Sequence, residues 1–229
     1  MLDSTVIKDI RTSGFVLRRT NYGEADRILN IITPQGKFAV IAKGARREKS
    51  KLAGGIEMFS LADFNIHFGK GELGILTSAK MLRHYSNILK DLDKLELAGF
   101  FLKKINNASE HTDSEEYFNI LEQSLEGLDE DIDRNLVEAW FLLNIVRALG
   151  EEINFYRDKD GDKLREGCNY MWDVNESAFS EISDGNYGTN EIKVLRLMVT
   201  TKLKVINKIK IEREKYIEIL RLARMVSKI

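Results

Sequence analysis

Cysteine is nearly absent: Cys168 is the only one in 229 residues. That excludes an intramolecular disulfide and fits a reducing compartment. Long apolar runs are missing too. The longest strongly apolar stretch, around Ala139 to Leu149, is broken by Asn144 and Arg147 and falls far short of the ~20 residues of a membrane span. The opening residues include Asp3, Lys8, Asp9 and Arg11, so they lack the apolar segment of a signal peptide. A cytoplasmic protein without membrane contact is expected. The three histidines, His67, His84 and His111, are scattered, with no pair at the four-residue spacing of a helical metal site. No nucleophile elbow, P-loop or zincin helix is present.

Three stretches imitate chemistry. Gly69-Lys70-Gly71-Glu72-Leu73-Gly74 matches GxGxxG after a strand. A dinucleotide site needs the last glycine to open a helix, and Ile75-Leu76-Thr77 continues as strand instead, so a hairpin turn is expected. Asp158-Lys159-Asp160-Gly161-Asp162 suggests a calcium loop, but its glycine and its missing glutamate do not fit the spacing; it reads as a solvated turn. The run from Glu110 to Asp133 holds ten carboxylates and no Lys or Arg. Two-metal catalysis needs carboxylates converging from separate elements, and these lie on one helix and its flanks. The sequence therefore predicts no enzyme and no cofactor.

What is present is a substantial apolar fraction, 43%, with 31% charged residues, enough for a real core under a hydrated surface. The net charge of −1 hides an asymmetry. Residues 1–85 carry 14 Lys and Arg against 8 Asp and Glu, a net +6. Residues 86–192 are acidic, at −15, and residues 193–229 carry 11 basic and 3 acidic side chains, a net +8. Basic ends attract phosphate and an acidic middle avoids it.

The first 80 residues read as five short strands, 14–20, 27–33, 37–43, 58–68 and 73–79, separated by turn chemistry at Asn21-Tyr22-Gly23, Thr33-Pro34-Gln35-Gly36 and Gly69-Lys70-Gly71. In the fourth, Met58, Ala62, Phe64, Ile66 and Phe68 share one face and Asp63, Asn65 and His67 the other. The second is apolar on both faces and is expected to be central. Five strands with an excursion between the third and fourth fit a small closed barrel of the OB type; an open five-stranded sheet is the alternative. From about Leu82 the period becomes helical, with Ile88, Leu89, Leu92, Leu95, Leu102 and Ile105 on one face. A capping box, Thr112-x-x-Glu115, opens a second helix, Asp133 caps a third that stops at Gly150, and two more follow, Asn190 to about Ile206 and Glu212 to Lys228. Residues 157–189 show no period and are expected to form a long loop. The fold class is thus α+β: a barrel in residues 1–82 and a helical domain in 83–229, with 157–189 irregular.

The clearest functional signal is Lys43-Gly44-Ala45-Arg46-Arg47-Glu48-Lys49-Ser50-Lys51, five cations in nine residues at the exit of a strand. Glycine lets backbone amides approach a phosphate, and the cations supply counterion-releasing contacts. Arg18, Arg19, Arg27 and Lys37 on neighbouring strands and turns can extend the track, and Tyr22, Phe38 and Phe59 are candidate platforms for stacked bases.

These same segments resemble a known family. Gly14-Phe15-Val16-Leu17-Arg18, Tyr22-Gly23-Glu24-x-Asp26-Arg27, Thr33-x-x-Gly36-Lys37, Ala42-Lys43-Gly44-Ala45-Arg46-Arg47-x-Lys49-Ser50 and Leu76-Thr77-Ser78-Ala79 are similar in order and spacing to the bacterial DNA repair protein RecO family. The resemblance implies an OB barrel plus a helical domain, single-stranded DNA binding and strand annealing. It also implies work with RecR, and sometimes RecF, to place RecA on DNA coated by single-strand-binding protein, whose C-terminal tail docks among the helices; a nucleoid-associated location follows. Two departures stand out. Many members carry a four-cysteine zinc module beginning with Cys-x-x-Cys; here Cys168 and Met171 occupy that pair and no second pair exists in 183–189, so the four ligands zinc needs are missing. Met58 also stands where relatives often have Pro. An acidic tail needs cations around an apolar pocket, and the basic C-terminal helices offer Lys202, Lys204 and Lys208. Other readings are a protein-only adaptor whose basic faces bind acidic tails, and an RNA-binding OB protein.

Overall fold

A computed structural model describes residues 8–108, 114–209 and 211–228. The expected capping box at Thr112, together with His111 and the start of the acidic run at Glu110, lies outside the described residues. The chain divides into two compact units, Met1–Leu125 and Glu126–Ile229.

The first unit is built on five strands, β1 Lys8–Tyr22, β2 Asp26–Thr33, β3 Gly36–Ala42, β4 Ser60–Phe68 and β5 Gly74–His84. They close into a barrel in the order β1-β2-β3-β5-β4, which is the OB topology expected. All neighbours are antiparallel except β3 and β5, which meet as a short parallel seam, Val40 opposite Gly74 and Ile41 opposite Ile75. Alternation fills the interior with Leu29, Ile31, Val40, Ala62, Phe64, Ile66 and Leu76, and β4 presents the faces its sequence predicts. Closure leaves β2 with a neighbour on each side, β1 and β3, so "central" in an open sheet gives way to one position among five in a ring.

A β-bulge between Val16 and Arg18 explains why Phe15, Val16 and Leu17 are all buried. The extra residue breaks the alternation: Val16 enters the barrel core, while Phe15 meets Tyr85 and Phe118 at ring-centroid distances of 6.1 and 5.4 Å. Between β3 and β4 a 3-10 turn, Ala53–Ile56, covers one end of the barrel. Gly55 is required there, because a Cβ would lie 2.4 Å from the backbone of Ala79. The helical period expected from Leu82 begins later. β5 runs on to His84, with Leu82 exposed, and the first helix, α1, spans Leu92–Ala108.

Two further helices, α2 Ser114–Asp129 and α3 Arg134–Ala148, follow. The Asp133 side chain accepts the Asn135 N–H at 2.9 Å, the cap its sequence predicts. The chain leaves α3 through Gly150 at φ +81°. Residues 157–189 are not a long loop. They contain an antiparallel hairpin, β6 Tyr170–Asp173 and β7 Ala178–Glu181, whose buried side packs Phe155, Tyr170, Trp172, Phe179 and Tyr187 together. Phe179 is the hub, with centroids of Phe155, Tyr170, Trp172 and Tyr187 at 6.0, 6.1, 5.1 and 5.8 Å. Aromatic burial does here what the irregular spacing of those residues conceals.

The helix expected over 190–206 is two: α4 Thr189–Thr200 and α5 Leu203–Ile206. Trp140 donates its indole N–H to the Thr201 carbonyl at 2.9 Å, and Asn144 donates to the Met198 carbonyl at 3.0 Å. Side chains of α3 thus take carbonyls that a continuous helix would use. α6, Arg213–Val226, closes the unit against α3 with Ile219, Leu220, Leu222 and Ala223 buried. No helix among the described residues is long and apolar enough to cross a membrane.

Candidate nucleic-acid interface

The basic loop leaves the barrel at the end of β3, and its backbone is ordered by its own contacts. Ala45 is buried in the barrel core and pins the loop between two exposed stretches. Gly44, at φ +64°, takes a left-handed conformation that favours glycine. Its N–H donates to Asp26 Oδ1 at 2.7 Å. Arg46 donates its N–H to the Ala25 carbonyl at 2.9 Å, and its guanidinium to the Gly23 carbonyl at 3.2 Å. Two more turns follow, Arg47 N–H to Gly44 carbonyl at 3.1 Å and Ser50 N–H to Arg47 carbonyl at 3.0 Å. The loop is therefore latched to the β1–β2 turn, residues 23–25.

Lys43, Arg46, Arg47, Lys49 and Lys51 are all exposed, and among the described residues none of them forms an ion pair. The other four expected contacts differ. Arg27 pairs in register with Ala42, beside the loop's origin, and its Nε is buried with no hydrogen-bond partner among the described residues. Arg19 faces inward with Leu29, and its guanidinium is held by Glu57 at 3.0 Å and by the Ile56 carbonyl at 3.5 Å. Arg18 is exposed on the outer face, in register with Asn30, which donates to Asn106 of α1 at 3.0 Å. Lys37 donates its ammonium to the Asn106 carbonyl near the C-terminus of α1, a helix end that favours a cation. It lies at the opposite end of β3 from Lys43, about 20 Å away at the strand rise of ~3.3 Å per residue. The structure thus brings together six of the nine expected residues (Arg27, Lys43, Arg46, Arg47, Lys49 and Lys51). It holds Lys37 apart, ties Arg19 to an acid, and sets Arg18 on the α1 side.

Of the three aromatic candidates only Tyr22 is free to stack, at 54% exposure in the turn that Arg46 grips. Phe59 is buried at a corner with φ +56°, and Phe38 packs on Phe68 at 5.5 Å and on the barrel core. The other motifs behave as turns and surface pairs. Gly69 to Gly74 joins β4 to β5. Asp158 Oδ1 accepts the N–H groups of Asp160 and Asp162 at 3.0 and 2.9 Å. His67 Nδ1 lies 2.7 Å from Asp9, and His84 Nδ1 lies 2.8 Å from Ser60 Oγ.

In the second unit the basic tail is largely spent on internal pairs. Lys204 sits 3.2 Å from both Glu126 and Glu130, and its hydrogen bonds to Glu130 and then Glu126 hold its pKa above the usual lysine value. Arg213, Arg221 and Arg224 pair with Asp133, Glu218 and Glu138. Lys202 and Lys208 are exposed beside α5. Sequence reasoning missed a groove of about 480 Å³ between α4 and α6, floored by Val194, Leu197, Ile209, Ile211 and Ile219. Lys193 and Lys215 stand at its rim, each paired with an acid, Glu166 at 2.7 Å and Glu191 at 3.2 Å. Lys202, Lys204 and Lys208 do not line it. The signal that could have found it is the apolar stripe Val194, Leu197, Ile219 with lysines one position before Val194 and four before Ile219.

Comparison with known proteins agrees with the barrel. Residues 7–85 match the family described as recombination protein O, N terminal. The chain is 37% identical to the DNA repair protein RecO of Desulfatibacillum aliphaticivorans over 146 residues, 62% of this chain and 57% of that protein. It is 36% identical to RecO of Rubrobacter xylanophilus, over 61% and 57% of the two chains, so these matches span just over half of the relatives. With RecO of Dehalococcoides mccartyi strain CBDB1 the identity is 26% over 90% of this chain and 84% of the other. In sequence, residues 7–85 are thus similar to the RecO N-terminal family, within a chain similar to the DNA repair protein RecO.

Proposed function

We propose that the protein is a non-enzymatic recombination mediator in DNA repair. Single-stranded DNA binds where the Lys43–Lys51 loop meets the β1–β2 turn. The observation that carries this reading is a contrast: five loop cations without ion-pair partners among the described residues, against a C-terminal region whose cations are mostly neutralised by acids. Unpaired exposed cations release counterions to a phosphate chain at little desolvation cost. Tyr22 supplies a face for one base, so the strand is gripped by phosphate contacts and a stacked base together. In this reading residues 1–82 are the nucleic-acid-binding domain and residues 83–229 dock proteins. Annealing follows if two strands are neutralised at once with bases turned outward. The family resemblance supports RecR, and in some organisms RecF, as partners that lead to RecA loading on DNA covered by single-strand-binding protein.

The groove between α4 and α6 favours a second activity of the same protein. An acidic tail with an apolar end fits its apolar floor, and carboxylates of the tail can displace Glu166 and Glu191 from Lys193 and Lys215. The C-terminal tail of single-strand-binding protein has that chemistry. Salt titrations with oligo-dT, oligo-rU and an acidic tail peptide test the whole reading. Oligo-dT binding with a steep salt dependence supports it. Preference for oligo-rU makes the protein an RNA binder, and peptide binding alone makes it an adaptor.

A further inference from the structure

We infer that Asp26 is a positioning residue of the interface: its carboxylate holds the Lys43–Lys51 loop in the conformation that presents its cations to phosphate. The inference rests on the reading of that loop as the phosphate-binding element. Asp26 stands at the first position of β2, in register with Tyr22 of β1, so the ladder fixes its backbone. From there Oδ1 reaches the Gly44 N–H at 2.7 Å, the distance of a charge-assisted bond. Gly44 is the loop's turning point, at φ +64°. Its carbonyl accepts the Arg47 N–H at 3.1 Å, and the Arg47 Cδ passes 3.5 Å from where a Gly44 Cβ would stand. The orientation of the Gly44 peptide therefore sets the directions in which Arg46 and Arg47 leave the backbone. The two Arg46 bonds to the Ala25 and Gly23 carbonyls lie on the same side and depend on the same turn.

Charge and geometry make opposite predictions for this residue. A carboxylate beside five cations repels phosphate, so by charge alone its removal tightens DNA binding. As a latch, its removal frees the loop and weakens binding. If the latch favours the competent loop about a hundredfold, or about 2.8 kcal/mol, its loss takes that loop from roughly nine-tenths to roughly one-tenth of the molecules, and the apparent Kd rises about tenfold.

The test is the affinity of the full chain for labelled oligo-dT at low salt, by fluorescence anisotropy. The chains compared are wild type, Asp26→Ala, Asp26→Asn and an Arg46→Ala/Arg47→Ala/Lys49→Ala triple variant with and without Asp26→Ala, with melting followed by circular dichroism. Asp26→Ala should bind about tenfold more weakly, with a melting temperature lower by no more than a few degrees. Asp26→Asn keeps an acceptor oxygen for Gly44 and should bind as tightly as wild type or tighter. Adding Asp26→Ala to the triple variant should cost little more than the triple variant alone. Tighter binding by both Asp26 variants, or equal losses in both, would overturn the positioning role. So would wild-type binding by Asp26→Ala while the triple variant is impaired, an outcome that leaves the reading of the loop standing. A triple variant that binds like wild type removes the loop reading and this role with it. Should Asp26→Ala fail to fold, Asp26→Glu takes its place: it keeps the charge and misplaces the oxygen, so weaker binding supports positioning and unchanged binding overturns it.

Discussion

Replacing Arg46, Arg47 and Lys49 by alanine in the full chain removes three of the five loop cations without touching a barrel contact other than the Arg46–Gly23 bond. For a single strand, each phosphate contact contributes about −0.7 to the slope of log K against log salt. If all five cations engage, the wild-type slope is about −3.5 and the variant's about −1.4. A rise from 50 to 200 mM salt then weakens wild type roughly 130-fold and the variant roughly sevenfold. Anisotropy titrations with oligo-dT at four or five salt concentrations give both slopes directly. The loss should be the same for mixed sequences, because phosphate contacts carry no sequence information. Folding should be little changed, since exposed charges contribute little to stability. A folded variant with the wild-type slope would refute the assignment of phosphate binding to this loop.

Tyr22→Ala should weaken oligo-dT by roughly 1–3 kcal/mol, the worth of one base stacked on an aromatic ring, with the salt slope unchanged; a changed slope with no loss of affinity would count against stacking. Phe179→Ala opens a hole at the hub of the hairpin cluster, where the ring is fully buried. Urea unfolding should show a loss of about 3–5 kcal/mol, and a loss below about 1 kcal/mol would mean that the five rings do not form a packed core. Leu197→Asp places a carboxylate in the α4–α6 groove and should abolish binding of an acidic peptide with an apolar end while sparing oligo-dT, as read by calorimetry; parallel loss of both ligands would make the two surfaces one.

The barrel was legible because its signals are local. Alternation in 60–68, the Asn21-Tyr22-Gly23 turn and the Thr33-to-Gly36 turn each declare themselves within a few residues. The Asp133 cap and the stop at Gly150 are equally local. What stayed hidden depends on distant partners. The first part of β1 hides because Asp9 and Arg11 point outward to His67 and Asp63, leaving little apolar alternation to read. The break at Thr201 comes from Trp140, 61 residues earlier. The fate of the cations was the least legible. Nothing in the order Arg18-Arg19 says that the second is taken by Glu57, nor does Lys37 announce a carbonyl on α1. The loop itself could be read because its five cations crowd around a single acid, Glu48, too few carboxylates nearby to neutralise them.

The parallel seam between β3 and β5 bears on how the proposed interface would respond to a bound strand. Four of the five joints of the ring are long antiparallel ladders, and the fifth is fastened at two register positions, immediately before β3 runs into the basic loop. Mechanically the barrel is a ribbon buttoned at one place, and the button sits at the base of the basic loop. Amide protons of the seam should therefore exchange with deuterium sooner than those of the other ladders. A nucleic acid that steadies the loop should slow that exchange first, so bound strand would be felt as a tightening of the whole ring.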